Sequence, residues 1–117
     1  MLSKPEKDAL MQAVYEIVSR IPFGRVTSYG AIAAAVGHPN LSRMVGQIMK
    51  GSGNHTEKLP CHRVVNSQGI LSGKESFGYS GQMQQLLEAE RIIIKNDKII
   101  NRKEVFWNPM KEILLDE

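Results

Sequence analysis

The stretch "VTSYGAIAAAVGHPNLSRMVGQIMKG", Val26 to Gly51, decides how the rest of the chain is read. Thr27 or Ser28 can cap a short helix over Tyr29 to Val36, because a side-chain oxygen there accepts a first-turn N–H that has no partner within the helix. Gly37 can close that helix, and Asn40 can cap a second one running to about Lys50. Two short helices joined by a tight, glycine-containing turn make a helix-turn-helix pattern. A plain helical hairpin in a small bundle fits the same spacing, so the flanking elements must carry the choice.

Upstream, Ser3-Lys4-Pro5-Glu6 reads as a capping box with proline in the first turn, and predicts a helix from near Pro5 to near Arg20. Ala13, Val14, Ile17, Val18 and Ile21 recur at helical spacing and mark its core face. Pro22-Phe23-Gly24 is a turn. Downstream, "GSGNHTEK" is a polar loop, and "RVVNSQGIL" places two short apolar segments about Asn66-Ser67-Gln68-Gly69, a hairpin signal. "SGKESFGYSGQ" is another loop. A helix is predicted over Gln82 to Arg91, with Met83, Leu86 and Leu87 inside. "RIIIKNDKIINRKEVFW" alternates about an Asn-Asp turn and predicts a small hairpin, or wing. The expected fold class is α+β and mostly helical: a winged-helix-like DNA-binding domain with a helix-turn-helix and small β-hairpins.

The 117 residues suffice for one domain with a real core and are too few for two, so residues 1–117 are expected to form a single domain. No apolar run approaches the length of a membrane span, and the N-terminus lacks the apolar region of a signal peptide. Asn54-His55-Thr56 matches a glycosylation sequon, which has no meaning without secretion. One cysteine cannot close an internal disulfide, which suits a reducing cytoplasm. A net charge of +3 permits nucleic-acid binding without requiring it.

Several partial motifs fall away on their chemistry. Gly69 to Lys74 has three residues between its glycines where a phosphate-binding loop needs four, and Glu75 stands where a magnesium-binding Ser or Thr is required. Gly78-Tyr79-Ser80 partly matches a nucleophile elbow, but Gln82 replaces the closing glycine. Cys61 with His38, His55 and His62 gives no zinc-ligand spacing, so no metal is expected. A lone cysteine is ordinarily a small buried hydrophobe. Cys61 differs in its neighbours: Pro60 fixes the backbone before it, while His62 and Arg63 bring a base and a permanent positive charge, the setting in which a thiolate forms. A carboxylate holding the imidazole would complete a relay, and Glu88 and Glu90 both stand at suitable places on the following helix.

Pro60-Cys61-His62-Arg63-Val64, in register with "GRVTSYGAIA" and "SRMVGQIMKG", resembles the active-site, DNA-binding domain of the 6-O-alkylguanine-DNA alkyltransferases over about the first ninety residues. The tail, ending in "VFWNP", is similar to that of the single-domain alkyltransferase-like proteins of the same superfamily. The resemblance implies that Cys61 accepts an alkyl group from oxygen 6 of guanine in one irreversible displacement. His62 would act through a water as its base, and Glu90 would orient the imidazole. Tyr29 would hydrogen-bond or protonate the guanine ring and help rotate the nucleotide out, with Arg43 filling the vacated place in the stack. Tyr79 and Ser80 would belong to the loop over the flipped base. Ser42 and Gly46, four apart on one helical face, would let the recognition helix approach the minor groove.

The implied partner is double-stranded DNA containing 6-O-alkylguanine, bound by a monomer with no cofactor and no membrane. An alternative within the superfamily is a non-catalytic protein that flips the lesion and hands it to nucleotide excision repair proteins. A plain helix-turn-helix regulator would leave "PCHRV" and Tyr29 unexplained. The sequence departs from the family in four places. The segment between Arg43 and Cys61 is one residue longer, so Asn54 or Ser52 could support the active-site loop. Two further residues lie around Lys74 to Phe77. The domain that precedes the catalytic one in full-length alkyltransferases is absent. Finally, alkyltransferase-like proteins typically carry tryptophan or alanine where this chain has Cys61.

Overall fold

A computed structural model describes residues 2–50, 59–77 and 81–115. Helix α1 (Lys4–Ser19) starts as its sequence dictates: Ser3 Oγ accepts from the Glu6 N–H, and the Glu6 carboxylate accepts from the Ser3 N–H at 3.1 Å. Its buried face is Leu10, Val14 and Val18, continued by Ile21, while Ala13 and Ile17 sit half-buried at its edges. Strand β1 (Thr27–Ser28) runs directly into α2 (Tyr29–Ala35), and Ser28 supplies the cap through an Ala31 N–H bond of 3.1 Å.

The second helix of the pair, α3 (Ser42–Lys50), begins later than expected. Asn40 does not cap it. His38 to Leu41 forms a turn of its own, closed by the Leu41 N–H on the His38 carbonyl at 2.9 Å, and the Leu41 carbonyl is the first to receive a helical bond, from Val45 at 3.0 Å. Asn40 is thus inside the turn and exposed. Helix α3 packs on α2 and on α1. Buried Val45, Ile48 and Met49 join Ile32, Ala33 and the α1 face in one apolar cluster.

The hairpin expected at 64–71 does not form. Strand β2 (Val64–Val65) pairs in parallel with β1, Thr27 opposite Val64 and Ser28 opposite Val65. Asn66 diverts the chain: its side-chain oxygen accepts the N–H groups of Gln68 and Ile70, both at 2.9 Å, and closes a tight loop instead of a ladder. Both valines need cover, as in a strand buried on two faces. Alternation supplies it, with Val64 facing the α1–α3 cluster and Val65 a second cluster of Val26, Leu71, Met83, Leu87, Ile92, Ile94, Ile99 and Val105.

Helix α4 (Gln82–Ala89) stops two residues short of Arg91, with Glu90 as its C-cap. Met83 and Leu87 are buried one turn apart, but Leu86 points outward and is 38% exposed, contrary to expectation. The wing forms as expected. Strands β3 (Ile94–Lys95) and β4 (Lys98–Ile99) pair antiparallel across Asn96 and Asp97, whose φ angles of 53° and 61° are those of a type I′ turn. Two short helices in the tail, α5 (Arg102–Val105) and α6 (Pro109–Leu115), were not anticipated. Between them Trp107 is buried in the first cluster, and its backbone N–H donates to the Val26 carbonyl at 2.7 Å.

Candidate active site and nucleic-acid interface

Cys61 opens a short 3-10 turn, Cys61–Arg63, in front of β2. Pro60 lies at φ −77° and ψ 61°, and the Cys61 N–H donates to the Leu59 carbonyl at 2.8 Å. That is an inverse γ-turn, and the locked φ of proline suits its central position. The thiol is thereby fixed by backbone geometry on both sides, and Cys61 is only 7% exposed.

Helix α4 packs on this turn and brings its C-terminal residue beside it. Glu90, not Glu88, is the carboxylate delivered: Glu90 is 7% exposed, whereas Glu88 lies on the outer face of α4. Three hydrogen-bond donors converge on it, one of them shared between both oxygens. His62 Nε2 is 2.5 Å from Oε2, the Gly24 N–H donates to Oε1 at 2.6 Å, and Arg63 Nε lies 3.0 and 3.1 Å from the two oxygens. Gly24 reaches this position with φ +80°, a conformation that glycine adopts without strain. Burial raises the Glu90 carboxyl, but the His62 hydrogen bond, the Gly24 N–H and the Arg63 charge outweigh it and hold the group below the ordinary glutamate value. A carboxylate can only accept, so His62 Nε2 is the donor in this contact.

Arg63 takes a different place from the one its position in sequence suggests. Besides Glu90, its guanidinium donates to the Ile21 carbonyl at 2.8 Å and lies 5.8 Å from the Phe23 ring centroid. Its positive charge therefore serves the carboxylate and the turn after α1.

Tyr29, the first residue of α2, is half-buried and points toward the 72–73 backbone. A Cβ added to Gly73 would lie 2.8 Å from its hydroxyl oxygen, so that residue leaves room for the phenol. Burial raises the Tyr29 phenol, a hydrogen bond with Ser72 acts the other way, and the nearby Cys61 charge raises it further. The net upward shift keeps it protonated, as a donor. Ser72 and Gly73 were not foreseen as site residues; their one sequence signal was a glycine in a broken phosphate-loop pattern.

Helix α3 presents Arg43 to solvent, with Ser42 and Gly46 half-exposed on it. Among the described residues nothing outside the helix's own backbone lies within 4 Å of a Cβ placed on Gly46, so the surface is open there. Tyr79, Ser80, Ser52 and Asn54 lie outside the described residues. Among the described residues no group of three His, Cys, Asp or Glu side chains is gathered as metal ligands, and no helix is long and apolar enough to cross a membrane.

Residues 9–92 match the family model described as 6-O-methylguanine DNA methyltransferase, DNA binding domain. Alkyltransferase-like protein 1 of Schizosaccharomyces pombe is 36% identical over 106 residues, which cover 87% of this chain and 97% of that protein. A constitutive methylated-DNA–protein-cysteine methyltransferase of Bacillus subtilis is 40% identical over 88 residues, 72% of this chain and 50% of that protein. Among solved structures, S. pombe Atl1 in complex with damaged DNA containing O6-carboxymethylguanine superposes with a TM-score of 0.74 at 36% identity, covering 86% of this chain and 95% of that one.

Proposed function

This chain belongs to the 6-O-methylguanine DNA methyltransferase DNA-binding-domain family, and on that premise we propose that it repairs DNA by accepting the alkyl group of 6-O-alkylguanine on Cys61. The observation that carries the proposal is the buried carboxylate of Glu90, 2.5 Å from His62 Nε2, next in sequence to a buried thiol. That carboxylate holds the imidazole with Nδ1 available to take a proton from the thiol.

The reaction balances as one displacement. His62 Nδ1 takes the thiol proton through a bridging water, and the Cys61 sulfur attacks the alkyl carbon. The S–C bond forms as the C–O bond to guanine oxygen 6 breaks, and the electron pair passes into the purine. Tyr29, kept protonated by burial, donates to the ring as that charge develops. The target lies inside the base stack, so the nucleotide must leave it at a cost of a few kcal/mol. Arg43 on α3 fills the gap, and open backbone at Ser42 and Gly46 lets the helix approach the groove.

A second reading, lesion binding without transfer, is supported by one observation: the chain superposes with a TM-score of 0.74 on S. pombe Atl1 solved in complex with damaged DNA containing O6-carboxymethylguanine. The DNA product separates the two. A duplex with a single 6-O-methylguanine should revert to guanine in equimolar amount with the protein consumed, as read by nucleoside analysis. Tight binding with the methylated base fully recovered would sink the transfer proposal and leave the binding one. Arg43→Ala should weaken lesion binding under either reading; unchanged binding would remove Arg43 from the flipping step.

A further inference from the structure

The wing carries a charge arrangement that folding does not call for. Lys95 and Lys98 face each other across β3 and β4, so both leave the same face of a two-residue ladder, where like charges repel. Both are exposed, and among the described residues neither has a carboxylate partner. Asp97, in the turn between them, is held instead by Lys74 at 2.6 Å. Helix α5 adds exposed Arg102 and Lys103, which line a cleft together with Lys98 and Gln68; among the described residues its one carboxylate is Glu104. Arg102 donates to the Ser67 carbonyl, which holds its guanidinium against the 66–69 turn.

This basic ridge lies on the side of the site. The Leu71 N–H donates to the Asp97 carbonyl at 2.9 Å, and with the Lys74–Asp97 pair it ties residues 71–74 to the wing turn. Gly73, within that segment, is the residue that faces the Tyr29 hydroxyl.

We propose that the wing is a second phosphate-binding surface, in which Lys95, Lys98, Arg102 and Lys103 contact the backbone of the same duplex that α3 engages. Such contacts carry no base readout and act through counterion release, so they hold damaged and undamaged duplex alike. The inference rests on the proposed function only in placing α3 on DNA.

The test compares Lys95→Gln/Lys98→Gln with a control of equal charge change, Lys4→Gln/Lys7→Gln on α1. Affinity for an undamaged duplex, and for the same duplex with one 6-O-methylguanine, is measured across a range of salt concentrations. The wing variant should bind both duplexes more weakly by the same factor, with a log–log salt slope shallower by about 2. Its melting temperature should be unchanged or raised, since a repulsion is relieved. Lys103→Gln alone should flatten the slope by about 1. An unchanged slope in the wing variant, or an equal loss in the α1 control, would overturn the assignment. Failure of the proposed function would show separately, as wild-type protein with no preference for the damaged duplex, and would leave the slopes readable.

Discussion

Glu90 joins three parts of the chain that are far apart in sequence: the turn after α1 through Gly24, the Cys61–Arg63 turn through His62 and Arg63, and the end of α4 itself. Sequence spacing offered Glu88 and Glu90 equally, because a helix end can deliver either one. What separates them is where α4 stops, and a boundary set by tertiary packing on the 3-10 turn is not written in local residues. The depressed carboxyl has a consequence for stability. A group whose folded pKa is lowered contributes in full above its unfolded value of about 4.3, and that contribution is lost as pH falls through the folded value. Glu90→Gln should therefore melt below wild type at neutral pH, and the two melting curves should converge in acid. A gap that persists unchanged in acid would mean that the charge of Glu90 is not what holds the site.

Among the elements, those whose signals are local were legible in the sequence: the Ser3–Glu6 box, the Ser28 cap and the Asn96-Asp97 turn of the wing. The 64–71 hairpin was misread because its turn residues are real but its strand partner is not local. Val64 and Val65 find β1, thirty-seven residues upstream, and no short-range pattern encodes a parallel pairing. The short tail helices were missed for a related reason, since α6 is stabilised by packing on α2 and by the Arg25–Glu112 pair at 3.0 Å. Helix α3 invites a test of its own. Among the described residues Gly46 has no neighbour within 4 Å outside its own helix, so Gly46→Leu should leave the fold intact and favour the helix by roughly 0.5–1 kcal/mol, while weakening DNA binding through the lost close approach. Raised melting temperature with unchanged duplex affinity would show that α3 does not approach DNA along this face.

In the whole molecule, two apolar clusters meet across β1 and β2, and Phe77 packs against both. The family match ends at residue 92, yet Trp107 fills the first cluster and Val105 the second. The tail is therefore part of the core, and Trp107→Ala should cost about 3–5 kcal/mol, read from denaturant unfolding. A loss below about 1 kcal/mol would mean the tail merely rests on a core complete without it. That joint core fixes the Cys61 turn against α4, and so sets Glu90 against His62 beside the thiol. The most direct test of that arrangement is the intact mass of the protein after incubation with a duplex carrying 6-O-methylguanine. The account predicts a gain of one methyl group, mapped to Cys61 and abolished in Cys61→Ala; a protein that binds the duplex and returns at unchanged mass would contradict it.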